Sequence, residues 1–452
     1  MELEHVRKIY FIGIGGIGMS ALARYFRQRG KEIAGYDRTE TALTRKLAAE
    51  GMQIHYVDDP QQIPAQIDLV VYTPAVPADH RELQYFRREG FPVLKRAEVL
   101  GLISRHSRTL AVAGTHGKTT TTSLLSFLLR EAGVDCTAFL GGIAGNFGTN
   151  YLSGRSDWVV VEADEYDRSF LHLQPEMAVV LSTDPDHLDI YGDRQRLMQE
   201  GFRAFARQLK PGGRLFVRHD LKDAFADLPP VTTYGLEEGD YRSTRVHVQD
   251  GYFRFDFHGP DLYWKDLQLG APGRHNVENA TAALALALQV GLTETAARRA
   301  LAAFTGVQRR FERIYQDDRR VYIDDYAHHP TELTAVIGAA RELFPGRKLT
   351  GIFQPHLYSR TRDFLTEFAA ALDRLDEPVL LEIYPAREEP IPGIDSAALL
   401  KEMKNPNKRL WQLAELPDAL GRLELDVLLT MGAGNIDTLV EPIQNWLQRT
   451  KP

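Results

Sequence analysis

The feature that most constrains this chain is a short grammar used twice: an apolar strand, a glycine turn, then a helix. Near the start, residues 8–14 read as a buried strand, Gly13-Ile14-Gly15-Gly16-Ile17-Gly18 as the turn, and 19–29 as the helix. A second strand over 32–36 runs directly into Asp37. The order restarts with a strand over 109–113, the turn Gly114-Thr115-His116-Gly117-Lys118-Thr119-Thr120, and a helix through Glu131. Apolar runs that end in glycine turns belong to parallel sheets with helices on both faces, which sets aside all-helical and purely antiparallel folds.

The rest of the chain repeats this alternation. Strands over 68–73 and 92–94, with a helical pattern over 78–89 between them, complete the first unit. Strands over 158–162, 177–181 and 214–218 follow. A β-rich stretch over 232–269 comes next, in which Val246, Val248, Phe253, Phe255 and Phe257 alternate. An alanine-rich helix spans 276–290. After Arg309-Arg310-Phe311 come a strand over 320–324, a helix opening at Pro330, and strands over 349–353, 378–383 and 426–431. The reading is three consecutive α/β domains. They are a Rossmann-like domain over 1–106, a P-loop ATPase-like domain over 107–312 whose mostly parallel sheet carries the β-rich segment, and a second Rossmann-like domain over 313–452. A length of 452 residues accommodates them.

Composition narrows the ligands. With 54 basic and 61 acidic side chains the net charge is −7, so no global field favours nucleic acid or an anionic membrane. Cys136 is the single cysteine, which rules out an internal disulfide and a cysteine-rich zinc site and fits a cytoplasmic location. The sequence has neither a signal-like start nor an apolar run long enough to span a membrane. Small, locally recognised ligands are expected.

The first turn matches G-x-G-x-x-G in full context, a pattern that cradles a diphosphate at a helix N-terminus, with Asp37 suited to a ribose. Alone it reads as an NAD site; a tight turn without a ligand is the bland alternative. The second turn keeps the Gly117-Lys118-Thr119 core of a P-loop, although Val112 stands where the first glycine belongs. Lys118 can reach β- and γ-phosphate oxygens and Thr119 can ligate magnesium. Glu162, first out of an apolar strand, suits that metal, against the alternative of a solvated acidic turn. His187, inside Asp186-His187-Leu188-Asp189, is either structural or a ligand. Asp324-Asp325-Tyr326-Ala327-His328-His329-Pro330 lies at a strand end, where open α/β sheets bind ligands. The basic cluster from His356 to Arg362 is a solvated helix start or a carboxylate or phosphate clamp.

Taken in order with Glu162-Ala163-Asp164-Glu165, Gly273-x-His275-Asn276-x-x-Asn279-Ala280 and His328-His329-Pro330-Thr331-Glu332, these motifs resemble the Mur ligases across all three units. The resemblance implies that the first fold holds the UDP part of a sugar nucleotide in place of NAD. Gly15, Gly16, Ile17 and Gly18 would face its pyrophosphate, Asp37 would lie near the uridine, and Asn150 would contact substrate or phosphate. It further implies ATP-driven ligation: the lactyl carboxylate of UDP-N-acetylmuramate becomes an acyl phosphate, and the amine of L-alanine displaces phosphate. Lys118, Glu162, His187 and Arg310 would be catalytic. Gly114, Thr115, His116, Gly117, Lys118, Thr119 and Thr120 would hold ATP, with His275 and Asn279 on the adenine, Arg310 on phosphate and Asp325 on the ribose. Tyr326, His328, His356 and Arg360 would surround the amino acid. Two magnesium ions are implied, one on Thr119 and Glu162, one on His187 shared with Glu162, with manganese able to substitute.

The same motifs suit a ligase that attaches a preformed murein peptide to UDP-N-acetylmuramate. An NAD oxidoreductase leaves the P-loop without a role, and a non-catalytic nucleotide sensor has no need of a metal-poised γ-phosphate. Three departures from the family pattern stand out. Leu357 follows His356 where arginine is frequent, Ser182 stands where asparagine is common, and no lysine falls between His187 and Lys210 to be carbamylated. Oligomeric state is left open.

Overall fold

The computed structural model describes residues 3–185, 188–228, 230–386 and 388–450. Three sheets carry the chain. The first has five parallel strands in the order Gln53–His55, Glu32–Tyr36, Lys8–Ile12, Leu69–Tyr72, Val93–Lys95. Lys8–Ile12 lies between Glu32–Tyr36 and Leu69–Tyr72, so the strand order reverses beside it and a crevice opens at its C-terminal end. This strand ends at Ile12, two residues earlier than its apolar run suggests, because Gly13 turns the chain at φ +84°. Its alternate side chains are buried on opposite faces, Ile9 and Phe11 in one core, Tyr10 and Ile12 in another.

The second sheet has ten strands. Arg108–Ala113, Trp158–Ala163, Met177–Val180, Arg214–Arg218 and Val231–Leu236 form its parallel body. The β-rich stretch resolves into that last strand followed by Tyr241–Gln249, Tyr252–Gly259 and Leu262–Leu269. At the other edge lies a hairpin of Thr137–Ala144 with Thr149–Leu152, which the apolar pattern did not announce. The third sheet orders Glu312–Gln316, Val321–Asp325, Val427–Met431, Leu349–Phe353, Glu377–Leu380 and Arg409–Leu410, parallel except at its first pair. The chain therefore forms three α/β domains with mostly parallel sheets.

These sheets belong to two compact units. One holds the chain up to Thr244 with Asp256–Leu267 and Glu278–Thr305; the other holds Arg245–Phe255, Gln268–Val277 and the chain from Gly306 onward. Among the described residues, no helix is long and apolar enough to cross a membrane.

Candidate active site

In the first sheet, the helix Ile17–Gln28 is capped by Gly16 with no side-chain hydrogen bond, which leaves its first N–H groups facing outward. Such a terminus favours an anion. Asp37 closes the turn, its carboxylate accepting from the Gly15 N–H at 2.8 Å. A Cβ on Gly18 would lie 2.8 Å from the guanidinium of Arg96, so a cation sits directly over the third glycine. Asn150 reaches this helix from the second sheet. It is fully buried, donates to the Ile17 carbonyl at 2.6 Å and the Ser20 hydroxyl at 2.9 Å, and accepts from Arg24 at 2.6 Å.

The second turn is shaped by two glycines at which any side chain would be strained. Gly114, at φ +135°, presses against the Ser182 backbone, where a Cβ would come within 2.8 Å; Gly117, at φ +81°, lies against Asn279, where it would come within 2.5 Å. Ser182, the residue that departs from the family pattern, braces the loop by accepting from the His116 N–H at 2.9 Å. Thr115 accepts from the Asp184 N–H at 2.8 Å. Thr120 is buried at the start of the helix Lys118–Glu131.

Strand register places Glu162 beside Val112, at the foot of this turn. Thr119 donates to its carboxylate at 3.2 Å. Gly141 makes room for that carboxylate, since a Cβ there would lie 2.0 Å from a Glu162 oxygen. Two hard oxygen donors converging at a P-loop suit magnesium, and the glycine cradle keeps space around them. Asp186 and His187 lie outside the described residues. Lys118 bonds the Glu165 carboxylate at 2.8 and 3.0 Å. Burial alone would push Lys118 down, but Glu165, Asp164 and Glu162 together hold it well above the ordinary lysine value.

A cavity of about 330 Å³ runs from the first turn to the carboxylate that Thr119 contacts: Gly16, Ile17, Gly18 and Arg96 line one part, Gly141, Glu162 and Asp164 the other. A larger cavity of about 600 Å³, lined by Tyr25, Arg29, Lys31, His106 and Asp157 among others, includes none of the turn glycines.

In the second compact unit the predicted residues form a continuous run. The Arg310 guanidinium lies 5.2 Å from the Tyr326 ring centre, Tyr326 lies 5.3 Å from His328, and His328 lies 6.1 Å from His356. His356 stacks on Tyr384 at 5.7 Å and approaches Arg360 at 3.5 Å. Glu332 underpins the run, accepting from the His328 N–H at 3.0 Å and pairing with Arg310 at 3.7 Å. Asp325 accepts from the Phe311 and Ala327 N–H groups at 2.6 and 2.7 Å; burial pushes its carboxyl up to about 7 against the pull of Arg310. Burial, aided by Arg310 and opposed by Glu332, holds His275 down to about 4. A neutral imidazole at physiological pH can meet a heterocycle edge without bringing charge.

Sequence reading did not assign Arg96, Glu165, Gly141, Glu332 or Tyr384. Glu165 and Glu332 stood inside quoted motifs. Arg96 carried a weaker signal, a basic residue opening the helix that follows the last strand of a dinucleotide-type sheet. Gly141 and Tyr384 carried none.

A P-loop-type turn and a diphosphate-type turn, with one cavity running from the latter to Glu162 beside the former, define an α/β protein of the nucleotide-binding type. Family models cover most of the chain: the Mur ligase family catalytic domain over 8–108, the Mur ligase middle domain over 112–287, and the Mur ligase glutamate ligase domain over 309–434. The chain belongs to the Mur ligase family. A UDP-N-acetylmuramate–L-alanine ligase of Porphyromonas gingivalis is 49% identical over 98% of this chain and 99% of its own length. The crystal structure of a UDP-N-acetylmuramate–alanine ligase from Thermotoga maritima superposes with a TM-score of 0.83 at 30% identity, over 99% of this chain and 100% of that one. A murein peptide ligase from Psychrobacter arcticus, 23% identical with a TM-score of 0.72 over 99% of this chain and 100% of that one, shares the fold.

Proposed function

We propose that this protein ligates L-alanine to the lactyl carboxylate of UDP-N-acetylmuramate at the expense of ATP. The products are UDP-N-acetylmuramoyl-L-alanine, ADP and phosphate, formed in the cytoplasm as a step of peptidoglycan precursor synthesis. The observation that carries the reading is the single cavity lined by both the first glycine turn and Glu162. A substrate whose diphosphate sits at one end presents its carboxylate at the other, beside the P-loop. The relative from Porphyromonas gingivalis, a UDP-N-acetylmuramate–L-alanine ligase that matches nearly end to end, supports the same reaction.

On this reading residues 1–106 hold the sugar nucleotide, 107–312 the ATP, and 313–452 the amino acid with part of the ATP. Gly15 and Gly16 shape the turn that faces the pyrophosphate, Ile17 and Gly18 present the N–H groups of the helix terminus to it, Arg96 adds a cation above it, and Asp37 fixes the turn near the uridine through the Gly15 N–H. Gly114 to Thr120 cradle the ATP phosphates, Lys118 neutralises the β- and γ-oxygens, and Arg310 contacts phosphate. His275 and Asn279 serve the adenine, and Asp325 the ribose. Thr119 and Glu162 would hold one magnesium ion, and His187 with Glu162 a second, with manganese able to replace either. Bound metal supplies charge neutralisation for crowded phosphate oxygens.

A carboxylate is a poor electrophile. Its oxygen attacks the γ-phosphorus, a P–O bond forms, the bond to ADP breaks, and the resulting acyl phosphate yields to the amine with loss of phosphate. The protein's task is positioning and charge neutralisation. Arg360 pairs with the amino-acid carboxylate, while Tyr326, His328 and His356 enclose the small side chain. The test is phosphate release from ATP, magnesium and UDP-N-acetylmuramate, screened across amino acids. L-alanine should support turnover. Turnover with L-alanyl-γ-D-glutamyl-diaminopimelate and not with L-alanine would transfer the assignment to peptide recycling.

A further inference from the structure

The P-loop lysine already has a full set of partners. Lys118 Nζ donates to both Glu165 carboxylate oxygens at 2.8 and 3.0 Å and to the Gly114 carbonyl at 2.7 Å, with the Thr115 carbonyl at 3.4 Å. An ammonium group has three N–H bonds, so this set leaves none for a phosphate. The Glu165 side chain is only 1% exposed, and the Tyr191 hydroxyl fixes its backbone by donating to the Glu165 carbonyl at 2.8 Å. This is an anchored internal pair, unlike a rim charge that drifts with solvent.

A phosphate oxygen can engage Lys118 only by replacing a current partner. The Gly114 carbonyl belongs to the loop itself, where the backbone is fixed by tight contact with Ser182. The exchangeable partner is the carboxylate. We infer that Glu165 is a positioning residue: it holds Lys118 folded across the P-loop and yields it to the β- and γ-phosphate oxygens as nucleotide binds. Glu162 and Glu165, three residues apart at the end of one strand, then divide the work between metal and lysine. Exchange of one anion for another sets the strength of ATP binding without moving the loop backbone. This inference rests on the P-loop being the ATP site.

The test is titration calorimetry of the full chain with ATP and with adenosine, for wild type, Glu165→Gln, and Glu165→Gln combined with Lys118→Ala. Glu165→Gln keeps the shape and removes the competing charge, so ATP should bind about tenfold more tightly. Adenosine, which carries no phosphate to Lys118, should bind as before, and the gain should vanish when Lys118→Ala is added. Glu165→Asp keeps the charge but withdraws it by one methylene, and should give a smaller gain, which secures the test if the glutamine variant does not fold. Unchanged or weaker ATP binding in the Glu165 variants, or a gain that survives Lys118→Ala, overturns the role of Glu165. Failure of the wild type to bind ATP overturns the nucleotide site itself.

Discussion

At the scale of single residues, the site depends as much on missing side chains as on present ones. Gly141 is the sharpest case, because a methyl group there would coincide with the Glu162 carboxylate. Gly141→Ala must therefore displace Glu162 from Thr119. We expect kcat to fall by about 10- to 100-fold, at roughly 1.4 kcal/mol per tenfold, with little change in melting temperature. Near-wild-type turnover at saturating magnesium would remove Glu162 from its assigned place. Glu162 itself was legible in the sequence, since a carboxylate closing an apolar strand after a P-loop has few other uses. Gly141 was not. Its reason lies in a neighbouring strand, and glycine within a strand weakens the very pattern by which strands are read. Arg96 was hidden for a similar cause: it meets Gly18 only after the sheet has placed Lys8–Ile12 and Val93–Lys95 on either side of Leu69–Tyr72.

At the scale of elements, central parallel strands were legible and edges were not. Leu349–Phe353 and Arg214–Arg218 fall where their apolar runs predict, because strands buried on both faces need continuous hydrophobicity. The edge hairpin Thr137–Ala144 with Thr149–Leu152 and the outer strand Glu312–Gln316 lack that need. The hairpin nonetheless positions the first turn, through Asn150 and its bonds to Arg24, Ile17 and Ser20. Asn150→Ala leaves buried donors and acceptors without partners, so chemical denaturation should show a loss of about 1–3 kcal/mol. KM for the sugar nucleotide should rise as the helix terminus loosens; a loss below ~0.5 kcal/mol with KM unchanged would sink this role.

A second element-scale prediction concerns pH. Glu82, on the helix Arg81–Arg88, accepts from Tyr10 on the central strand at 2.6 Å and from the Asp59 N–H at 3.0 Å. Burial pushes its carboxyl from 4.5 up to about 7, with Tyr10 and Asp59 opposing and Asp58 aiding the rise. Between those two values the folded chain keeps a proton that the unfolded chain releases. Stability from this group is thus complete below the unfolded value and is lost as pH rises through the folded one, by up to about 3 kcal/mol. Glu82→Gln should flatten the decline in stability measured by denaturation between pH 4.5 and about pH 7. An unaltered slope would mean that Glu82 does not titrate there.

At the scale of the whole molecule, the proposed reaction requires an acidic protein to bind three ligands that are anionic or carry a carboxylate. With a net charge of −7 the overall field opposes their approach, so attraction must come from groups within a few ångströms. On the proposed reading, helix termini, Lys118, Arg96, Arg310 and Arg360 provide it at separate points along the chain. Exposed charges interact only within about 8–10 Å at ordinary ionic strength, whereas buried contacts are screened much less. Raising salt from about 50 to 250 mM should therefore weaken long-range repulsion and local attraction together, leaving KM for ATP and for UDP-N-acetylmuramate within about twofold. A protein that drew these substrates in by a broad positive surface would instead lose affinity steeply and first through association rate. Stopped-flow binding of a fluorescent ATP analogue across that salt range separates the two. A steep fall in association rate would show a steering field that the composition does not contain; a flat or rising rate places recognition in the turns themselves.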